Sequence, residues 1–361
     1  MMARRVAVVL FNLGGPDAPE SVRPFLVNLF TDPAILRVPG FIRPWLGKLI
    51  AWRRTAPAQE NYAVLGGKSP LLELTEEQAV SLDARLAGRE PEVEYKSFVC
   101  MRYWHPMSDA VARAVQEWSA DEVLLVPLYP QFSTTTTGSS ITAWDEAARG
   151  IGLSVPTTTL CCFHSDPAFA EATAAMVREA LAKARAELPE GVGLRVLFSA
   201  HGLPESIVKA GDPYQWQVEQ TVATVLEKLD EPGLDSIVCY QSRVTPQKWI
   251  TPSTEDEIER AAHDKVAILV CPIAFVSEHS ETLVELDVEY REEAEKLGVP
   301  AYFRVPAQNS DPGFIGALAD LVLRARSGGR ALCSFAGARQ CPKVHGDCPH
   351  ARIRQEAARA A

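Results

Sequence analysis

The sequence lacks the long apolar run that a membrane-spanning helix needs. Such a helix takes about 20 consecutive apolar residues, and none of the apolar runs in this chain of 361 residues is that long. The chain also lacks an excess of positive charge, since 36 Lys and Arg stand against 46 Asp and Glu. A general nucleic-acid-binding protein needs a basic face, so the net charge of −10 argues against that class. Low-complexity linkers and repeats of fixed period are absent as well, and 47% hydrophobic residues exclude a disordered chain.

The first residues lack the small-residue cleavage site of a secretory signal peptide. A short apolar run leads directly into residues 12–16 (NLGGP), which predicts a first buried strand and its turn. We therefore expect a cytoplasmic protein whose eight cysteines are reduced. Cys100, Cys239 and Cys271 end apolar runs, where a small buried thiol packs well.

Short apolar runs alternate with helical patterns along the chain. Apolar runs without strict alternation, separated by helices, predict parallel strands that are buried on both faces. The runs cover residues 6–11, 93–99, 123–128 and 155–160, and then 194–198, 236–239, 266–271 and 302–305. Four runs in each half predict two similar α/β halves, Rossmann-like and doubly wound, each with a four-stranded parallel sheet flanked by helices. We place these halves at residues 1–160 and 161–330, followed by a C-terminal extension at 331–361.

Two histidines follow predicted strands of the second half, at the strand ends where functional residues collect in such sheets. His201 lies in a loop framed by glycine and proline, and His279 precedes a helical stretch with Glu281, Glu285 and Glu289. A helix stacks residues four apart on one face. These acids either complement the helix dipole on a solvated face or attract a divalent cation beside His279. An imidazole with a carboxylate suits Fe²⁺ and also accepts protons near neutral pH.

A basic and apolar segment stands out in the otherwise acidic chain. Residues 33–59 contain no acidic residue but five Lys and Arg, interleaved with large apolar side chains. This pattern suits a surface that meets a membrane interface or an apolar carboxylated ligand. One alternative is an amphipathic helix packed on its own core with a basic outer face. Another is a site for single-stranded nucleic acid, which the overall acidity weakens.

Four long motifs of the chain resemble those of ferrochelatases. They are residues 10–16 (LFNLGGP), 129–133 (YPQFS) running to 137–140 (TGSS), 198–204 (FSAHGLP), and 272–283 (PIAFVSEHSETL). The motifs stand in the family's order and span residues 10 to about 290. Several long motifs in register are far more specific than a single glycine pattern.

The resemblance implies an enzyme that inserts Fe²⁺ into protoporphyrin IX, the last step of haem synthesis. It implies that His201 and Glu281 face each other across a cleft between the halves and handle the metal and the pyrrole protons. Glu285 and Glu289 would extend an acidic metal path, with His279 nearby. The residues that match the family's porphyrin-contacting positions are Leu36, Arg54, Tyr62, Ser69, Arg102, Tyr103 and Tyr129. Residues 41–46 resemble the apolar lip by which porphyrin enters and some members touch membrane.

Three cysteines lie in the tail, with seven and six residues between them: Cys333, Cys341 and Cys348. This is not the spacing of a common zinc site, although two nearby histidines, His345 and His350, keep zinc as an alternative to a cluster or to unligated thiols. The chain resembles ferrochelatases that carry a [2Fe–2S] cluster on a C-terminal extension. Four thiolates hold such a cluster, and the fourth would come from Cys161 or Cys162. Animal members supply a cysteine within the Tyr-Pro-Gln motif, where this chain has Thr134.

Three questions stay open at the level of sequence. The porphyrin is either protoporphyrin IX or coproporphyrin III, because the metal chemistry is the same for both. A different class of protein, a non-catalytic haem or iron carrier, would retain the same pocket. The chain is either a monomer or a homodimer, with peripheral membrane contact through residues 41–46 as a further expectation.

Overall fold

The structure is a computed structural model that describes residues 3–242 and 247–351. Its strands form two parallel sheets flanked by helices, which confirms the predicted fold class. The chain divides into two compact units, Met1–Cys162 with Leu318–Arg339, and Phe163–Ala317 with Gln340–Ala361. The domain bounds given above from the sequence stay a prediction.

The sheet of the first unit is built around its first strand. The strands are β1 (Arg4–Asn12), β2 (Val93–Met101), β3 (Glu122–Pro127), β4 (Thr157–Leu160) and β9 (Leu332–Cys333). Their order is β2-β1-β3-β4-β9, and every pairing is parallel. Residues 6–11 of β1 are at most 1% exposed, as expected for a strand that is buried on both faces.

The fifth strand corrects the prediction of a four-stranded sheet in this half. It has only two residues and pairs with the end of β4. A run of two residues is too short to carry a periodicity, so local sequence patterns do not reveal it.

The second unit contains a four-stranded parallel sheet, as predicted. Its strands are β5 (Leu194–His201), β6 (Ser236–Gln241), β7 (Ala267–Pro272) and β8 (Tyr302–Arg304), in the order β6-β5-β7-β8. Parallel strands end at the same edge of a sheet, so the residues that follow β5, β6 and β7 are close in space.

The helices have the following bounds. In the first unit they are α1 (Val22–Thr31), α2 (Arg43–Val64), α3 (Leu71–Ala87), α4 (Ser108–Glu117) and α5 (Thr137–Gly150), with a 3₁₀ turn at Pro19–Ser21. In the second they are α6 (Pro167–Glu187), α7 (Glu205–Lys209), α8 (Tyr214–Leu229), α9 (Thr254–Asp264) and α10 (Tyr290–Leu297). The last helix, α11 (Pro312–Ser327), contains the boundary between the units. Among these described helices, none is long and apolar enough to cross a membrane.

The helical stretch after β7 differs from a regular α-helix. Glu281–Glu289 forms a π-helix, and α10 continues it from Tyr290. A π-helix bonds residue i to i+5, so its turn is wider than that of an α-helix, and π-helical segments occur frequently at functional sites. The predicted stacking of carboxylates four residues apart assumed α-helical geometry, which this segment does not have.

Candidate active site

The second sheet brings two ionisable side chains into contact at the carboxyl ends of paired strands. His201 is the last residue of β5, and Glu281 opens the π-helix that follows β7. The distance from His201 Nδ1 to Glu281 Oε2 is 3.0 Å. Both residues belong to the second unit, so the pair is a contact within one half and does not face across two halves. The two side chains are 32% and 29% exposed, and solvent or a ligand can therefore reach them.

His279 approaches the same carboxylate from the loop before the π-helix. Its Nε2 lies 3.8 Å from Glu281 Oε2, and its Nδ1 lies 3.1 Å from the carbonyl oxygen of Ser277. Because a carbonyl only accepts hydrogen bonds, Nδ1 carries the proton and Nε2 faces Glu281. Thr282 fixes this loop, since its Oγ1 accepts from His279 N and donates to His279 O, both at 3.0 Å. A histidine oriented in this way is a common metal ligand.

Glu285 is held by three donors that the sequence analysis did not select. Its Oε2 accepts from Gln241 Nε2 at 3.1 Å and from Ser242 Oγ at 2.6 Å, and its Oε1 accepts from Tyr290 OH at 3.1 Å. Gln241 is fully buried at the end of β6, and a buried amide at a strand end is the signal that could have identified it. Glu289, at the end of the π-helix, is exposed.

The charged side chains of this cluster shift one another's pKa values. Burial would lower the pKa of His201, but the charge and hydrogen bond of Glu281, together with Glu285, outweigh burial and raise it above the usual 6.5. Burial would likewise raise the pKa of Glu281, but His201 and His279 hold it well below its ordinary range. The pKa of Glu285 is raised by burial and by the negative charge of Glu281. The cluster therefore contains one firmly ionised carboxylate and one carboxyl that protonates more easily.

A second polar cluster lies in the first unit, at the carboxyl end of β2. Arg102 Nη2 lies 2.7 Å from Asp32 Oδ2, and Arg102 Nε donates to Ser139 Oγ at 2.6 Å. The Tyr103 hydroxyl donates to Asp32 Oδ2 at 2.9 Å. Arg102 keeps 20% exposure, whereas Tyr103 is fully enclosed. The sequence analysis missed Asp32, although it is the last acidic residue before the acid-free segment.

Two more of the predicted porphyrin-contacting residues lie near this cluster. The backbone N–H of Leu36 donates to Asp32 O at 2.9 Å. The charge of Arg102 acts on the Tyr129 hydroxyl, although burial dominates and raises the pKa of Tyr129. The structure therefore gathers Leu36, Arg102 and Tyr103 around Asp32, and Tyr129 lies within reach of the Arg102 charge.

Tyr62 and Ser69 meet at the glycine turn after β1. A Cβ atom added to Gly15 would lie 2.5 Å from Ser69 Oγ and 3.9 Å from Tyr62 OH. Ser69 N also donates to Pro16 O at 2.8 Å. The turn therefore needs glycine at position 15 because the two segments approach so closely. Arg54, the remaining predicted contact, lies exposed on α2.

The basic and apolar segment exposes its apolar side chains. Phe41, Trp45, Leu49 and Trp52 are 80%, 79%, 51% and 61% exposed. Trp45, Leu49 and Trp52 are four and three residues apart, which places them on one side of α2. Phe41 lies in the turn just before the helix. We call these four residues the apolar face. The helix also buries Gly47, Ala51 and Tyr62, so it packs on its own core as the alternative predicted. Its outer face, however, carries large apolar side chains as well as basic ones.

All eight cysteines lie among the described residues, where they are buried and form no disulfide. In the first unit, Cys161 Sγ and Cys162 Sγ are 3.2 Å apart, and Cys161 N donates to Cys333 O at 2.8 Å. In the second unit, Cys341 and Cys348 belong to one small buried cluster. The described part of the chain contains no three His, Cys, Asp or Glu side chains arranged to share one metal ion.

The fold is shared with a metal-binding protein of known structure. The structure described as SirB from Bacillus subtilis with Fe³⁺ has a TM-score of 0.50 and 14% sequence identity, covering 91% of this chain and 98% of that chain. A second SirB structure, described as a sirohydrochlorin chelatase in complex with cobalt, has a TM-score of 0.47 and 13% identity, covering 90% and 94%. The likeness to the first of these structures places the fold in the chelatase-like α/β class.

Sequence comparison identifies the family within this class. The ferrochelatase family profile matches residues 5–326. Curated ferrochelatases are 51% identical over 348 residues in Caulobacter vibrioides (96% of this chain, 98% of the relative) and 49% identical over 358 residues in Hyphomonas neptunium (99% and 98%). The chain belongs to the ferrochelatase family. This membership confirms the prediction of a metal chelatase of haem synthesis.

Proposed function

We propose that the chain inserts Fe²⁺ into protoporphyrin IX to form protohaem. The observation that carries this proposal is the 3.0 Å contact between His201 Nδ1 and Glu281 Oε2 in a chain of this family. Insertion removes two protons from pyrrole nitrogens and strips water from the metal. A nitrogen and an oxygen ligand side by side suit Fe²⁺, and both groups take part in proton transfer.

The protonation states suggest an order of events at this pair. Glu281 is ionised, so it offers a carboxylate oxygen to the incoming Fe²⁺. A cation bound there cancels the charge that raises the pKa of His201, and the imidazole then loses its proton and becomes a base for a pyrrole N–H. Glu285, whose pKa is raised, accepts protons from the cluster. Glu289 is exposed and passes them to solvent, and His279 Nε2 is a further metal ligand in this proposal.

The porphyrin is held by the residues of the first unit that match the family pattern. Arg102 is the natural partner for a propionate, because a guanidinium binds a carboxylate through paired N–H groups. Leu36, Tyr62, Ser69, Tyr129 and Arg54 would complete the contacts of the ring edge, with Tyr103 supporting them from its enclosed position. Binding energy from these contacts can offset the bending of the macrocycle that insertion requires.

We also propose that the protein is cytoplasmic and touches membranes through its apolar face. Large exposed apolar side chains next to five basic residues suit the interface of an anionic bilayer. Such contact would allow an apolar porphyrin to pass between the lipid and the enzyme. No helix among the described residues crosses a bilayer, so this contact would be peripheral.

The tail is proposed to hold a [2Fe–2S] cluster through Cys333, Cys341, Cys348 and one of Cys161 and Cys162. The donor set has the right chemistry, because all five residues are buried cysteines that form no disulfide. Gln217 Nε2 donates to Cys341 Sγ at 3.1 Å, a type of hydrogen bond that stabilises a cluster thiolate. A bound cluster supplies a one-electron redox centre, and none of the steps above depends on it.

The proposed activity is tested by assaying the purified protein anaerobically with Fe²⁺ and either porphyrin. We expect faster insertion with protoporphyrin IX, and a preference for coproporphyrin III would overturn the choice of substrate. Tight porphyrin binding without any insertion would instead identify a carrier.

The role of the metal site is tested by His201→Ala. This variant removes the base and a metal ligand, so we expect insertion to fall at least a hundredfold while porphyrin binding persists. His263→Ala is the matched control, because the His263 side chain is 89% exposed at the end of α9. Undiminished turnover in His201→Ala would remove His201 from the mechanism.

A further inference from the structure

We propose that Asp32 is a positioning residue that orients Arg102 toward a porphyrin carboxylate. The proposal rests on the role assigned to Arg102 in the proposed function. It adds a residue that belongs to none of the four motifs and that would act on the porphyrin only through Arg102.

Asp32 uses both carboxylate oxygens at the end of α1, where it is only 4% exposed. Its Oδ2 accepts from Arg102 Nη2 at 2.7 Å, from Tyr103 OH at 2.9 Å and from Ser139 Oγ. Its Oδ1 accepts from Ala34 N at 2.7 Å. A carboxylate is an acceptor only, so these four donors fix its position.

Arg102 is in turn held at two of its three nitrogens. Nη2 contacts Asp32, Nε donates to Ser139 at 2.6 Å, and the guanidinium carbon lies 4.9 Å from the centre of the Tyr103 ring. These contacts determine both the plane and the rotation of the guanidinium. Among the described residues, the contacts of Arg102 therefore leave Nη1 for a ligand, on a side chain that is 20% exposed.

Asp32 would favour ligand binding by orienting the Arg102 guanidinium, and not through its own charge. The negative charge of Asp32 offsets part of the attraction between Arg102 and a carboxylate. An arginine that is already immobilised, however, loses little side-chain freedom when a ligand binds. Asp32 also accepts through its backbone oxygen from Ile35 N at 3.2 Å and Leu36 N at 2.9 Å. The same residue thus fixes the start of the basic and apolar segment.

The test separates carboxylate recognition from general stability. Metal-free protein is titrated with a dicarboxylic porphyrin and with its dimethyl ester in the same detergent, and binding is followed by porphyrin fluorescence. The ratio of the two affinities measures recognition of the carboxylates. We expect Asp32→Asn to reduce the preference for the diacid about tenfold, since a charge-assisted hydrogen bond is lost or misaligned.

Asp83→Asn is the matched control for this variant. Asp83 is another partly buried carboxylate of the first unit, and its oxygens accept from Ser97 Oγ at 2.6 Å and Ser97 N at 3.0 Å. We expect the wild-type preference in this control. An equal loss of affinity for the diacid and the ester in Asp32→Asn would mean a structural role only and would overturn the proposal.

Arg102→Gln distinguishes the failure of this inference from the failure of the proposed function. If Arg102→Gln keeps the wild-type preference, the carboxylate role of Arg102 is wrong. If it loses the preference while Asp32→Asn keeps it, only the inference about Asp32 is wrong. Should Asp32→Asn not fold, Asp32→Glu keeps the charge but displaces the carboxylate from Arg102 Nη2, and an unchanged preference there would overturn the proposal.

Discussion

His201 and Glu281 set each other's protonation by direct contact. Either side chain alone in this environment would be driven toward its neutral form by burial, but the contact at 3.0 Å favours imidazolium and carboxylate together. The sequence identifies both residues from their positions after apolar runs. It does not show that they touch, because they lie 80 positions apart.

We expect Glu281→Gln to lower the pKa of His201. Removing the carboxylate leaves burial as the dominant influence, which favours the neutral imidazole. In the wild-type protein, a raised His201 pKa means that protonated His201 contributes its stability fully below pH 6.5, and that this contribution is lost as the pH rises through the raised value. The lowered pKa of Glu281 has the opposite sign, so its contribution is lost as the pH falls below the ordinary value of 4.5. The measurement is an NMR titration of metal-free protein with labelled histidines, in which His201→Ala assigns the signal.

Glu293→Gln serves as the control for this titration. Glu293 lies on α10 and is not among the groups that shift His201. An unchanged or higher His201 pKa in Glu281→Gln would contradict the electrostatic account of the pair.

At the scale of elements, the π-helix depends on a hydroxyl at its start. Thr282 is fully buried, and its Oγ1 both accepts from and donates to the backbone of His279. These two hydrogen bonds close the loop between β7 and the π-helix, and they fix the orientation of Glu281 at the start of the π-helix. The sequence predicts a helix in this region, but no local pattern indicates its wider turn.

We expect Thr282→Val to destabilise the protein by about 1–3 kcal/mol, because it leaves the buried N–H of His279 without its acceptor. The carbonyl of His279 loses one donor but keeps the N–H groups of Thr282 and Leu283. Insertion should also slow, since Glu281 is no longer held in place. The measurements are denaturant unfolding and the insertion assay. Thr282→Ser retains the hydroxyl and should behave like the wild type, and unchanged stability and insertion in Thr282→Val would contradict the role of the hydroxyl.

At the scale of the whole molecule, the apolar face predicts binding to lipid. We expect the protein to bind anionic vesicles more tightly than zwitterionic ones, and high salt to weaken this binding. Trp45→Ser should lower partitioning about tenfold, because a large apolar side chain no longer enters the bilayer. Vesicle sedimentation measures this. Val80→Ser is the matched control, since Val80 is 70% exposed on α3, and an equal loss there would contradict a specific face.

A [2Fe–2S] cluster bound by the C-terminal cysteines would colour the protein, and this colour would depend on each cysteine that binds the cluster. We expect anaerobically purified protein to show visible charge-transfer absorption that Cys341→Ser abolishes and the core variant Cys271→Ala retains. Comparing Cys161→Ser with Cys162→Ser identifies the fourth ligand by the loss of the same bands. A colourless protein that binds stoichiometric zinc would contradict the cluster.

The sequence by itself determined the class of fold and supplied the candidate residues for the chemistry. Apolar runs, their spacing and the motifs at their ends are local properties of the sequence. Seven of the eight predicted runs overlap strands of four or more residues, and the eighth overlaps the three-residue strand β8. The tertiary structure decided which of these residues meet. It joined His201 to Glu281, gave Glu285 its three donors, and placed Asp32 against Arg102, 70 positions away. Strand order and register set these contacts, and no short stretch of sequence contains either of them.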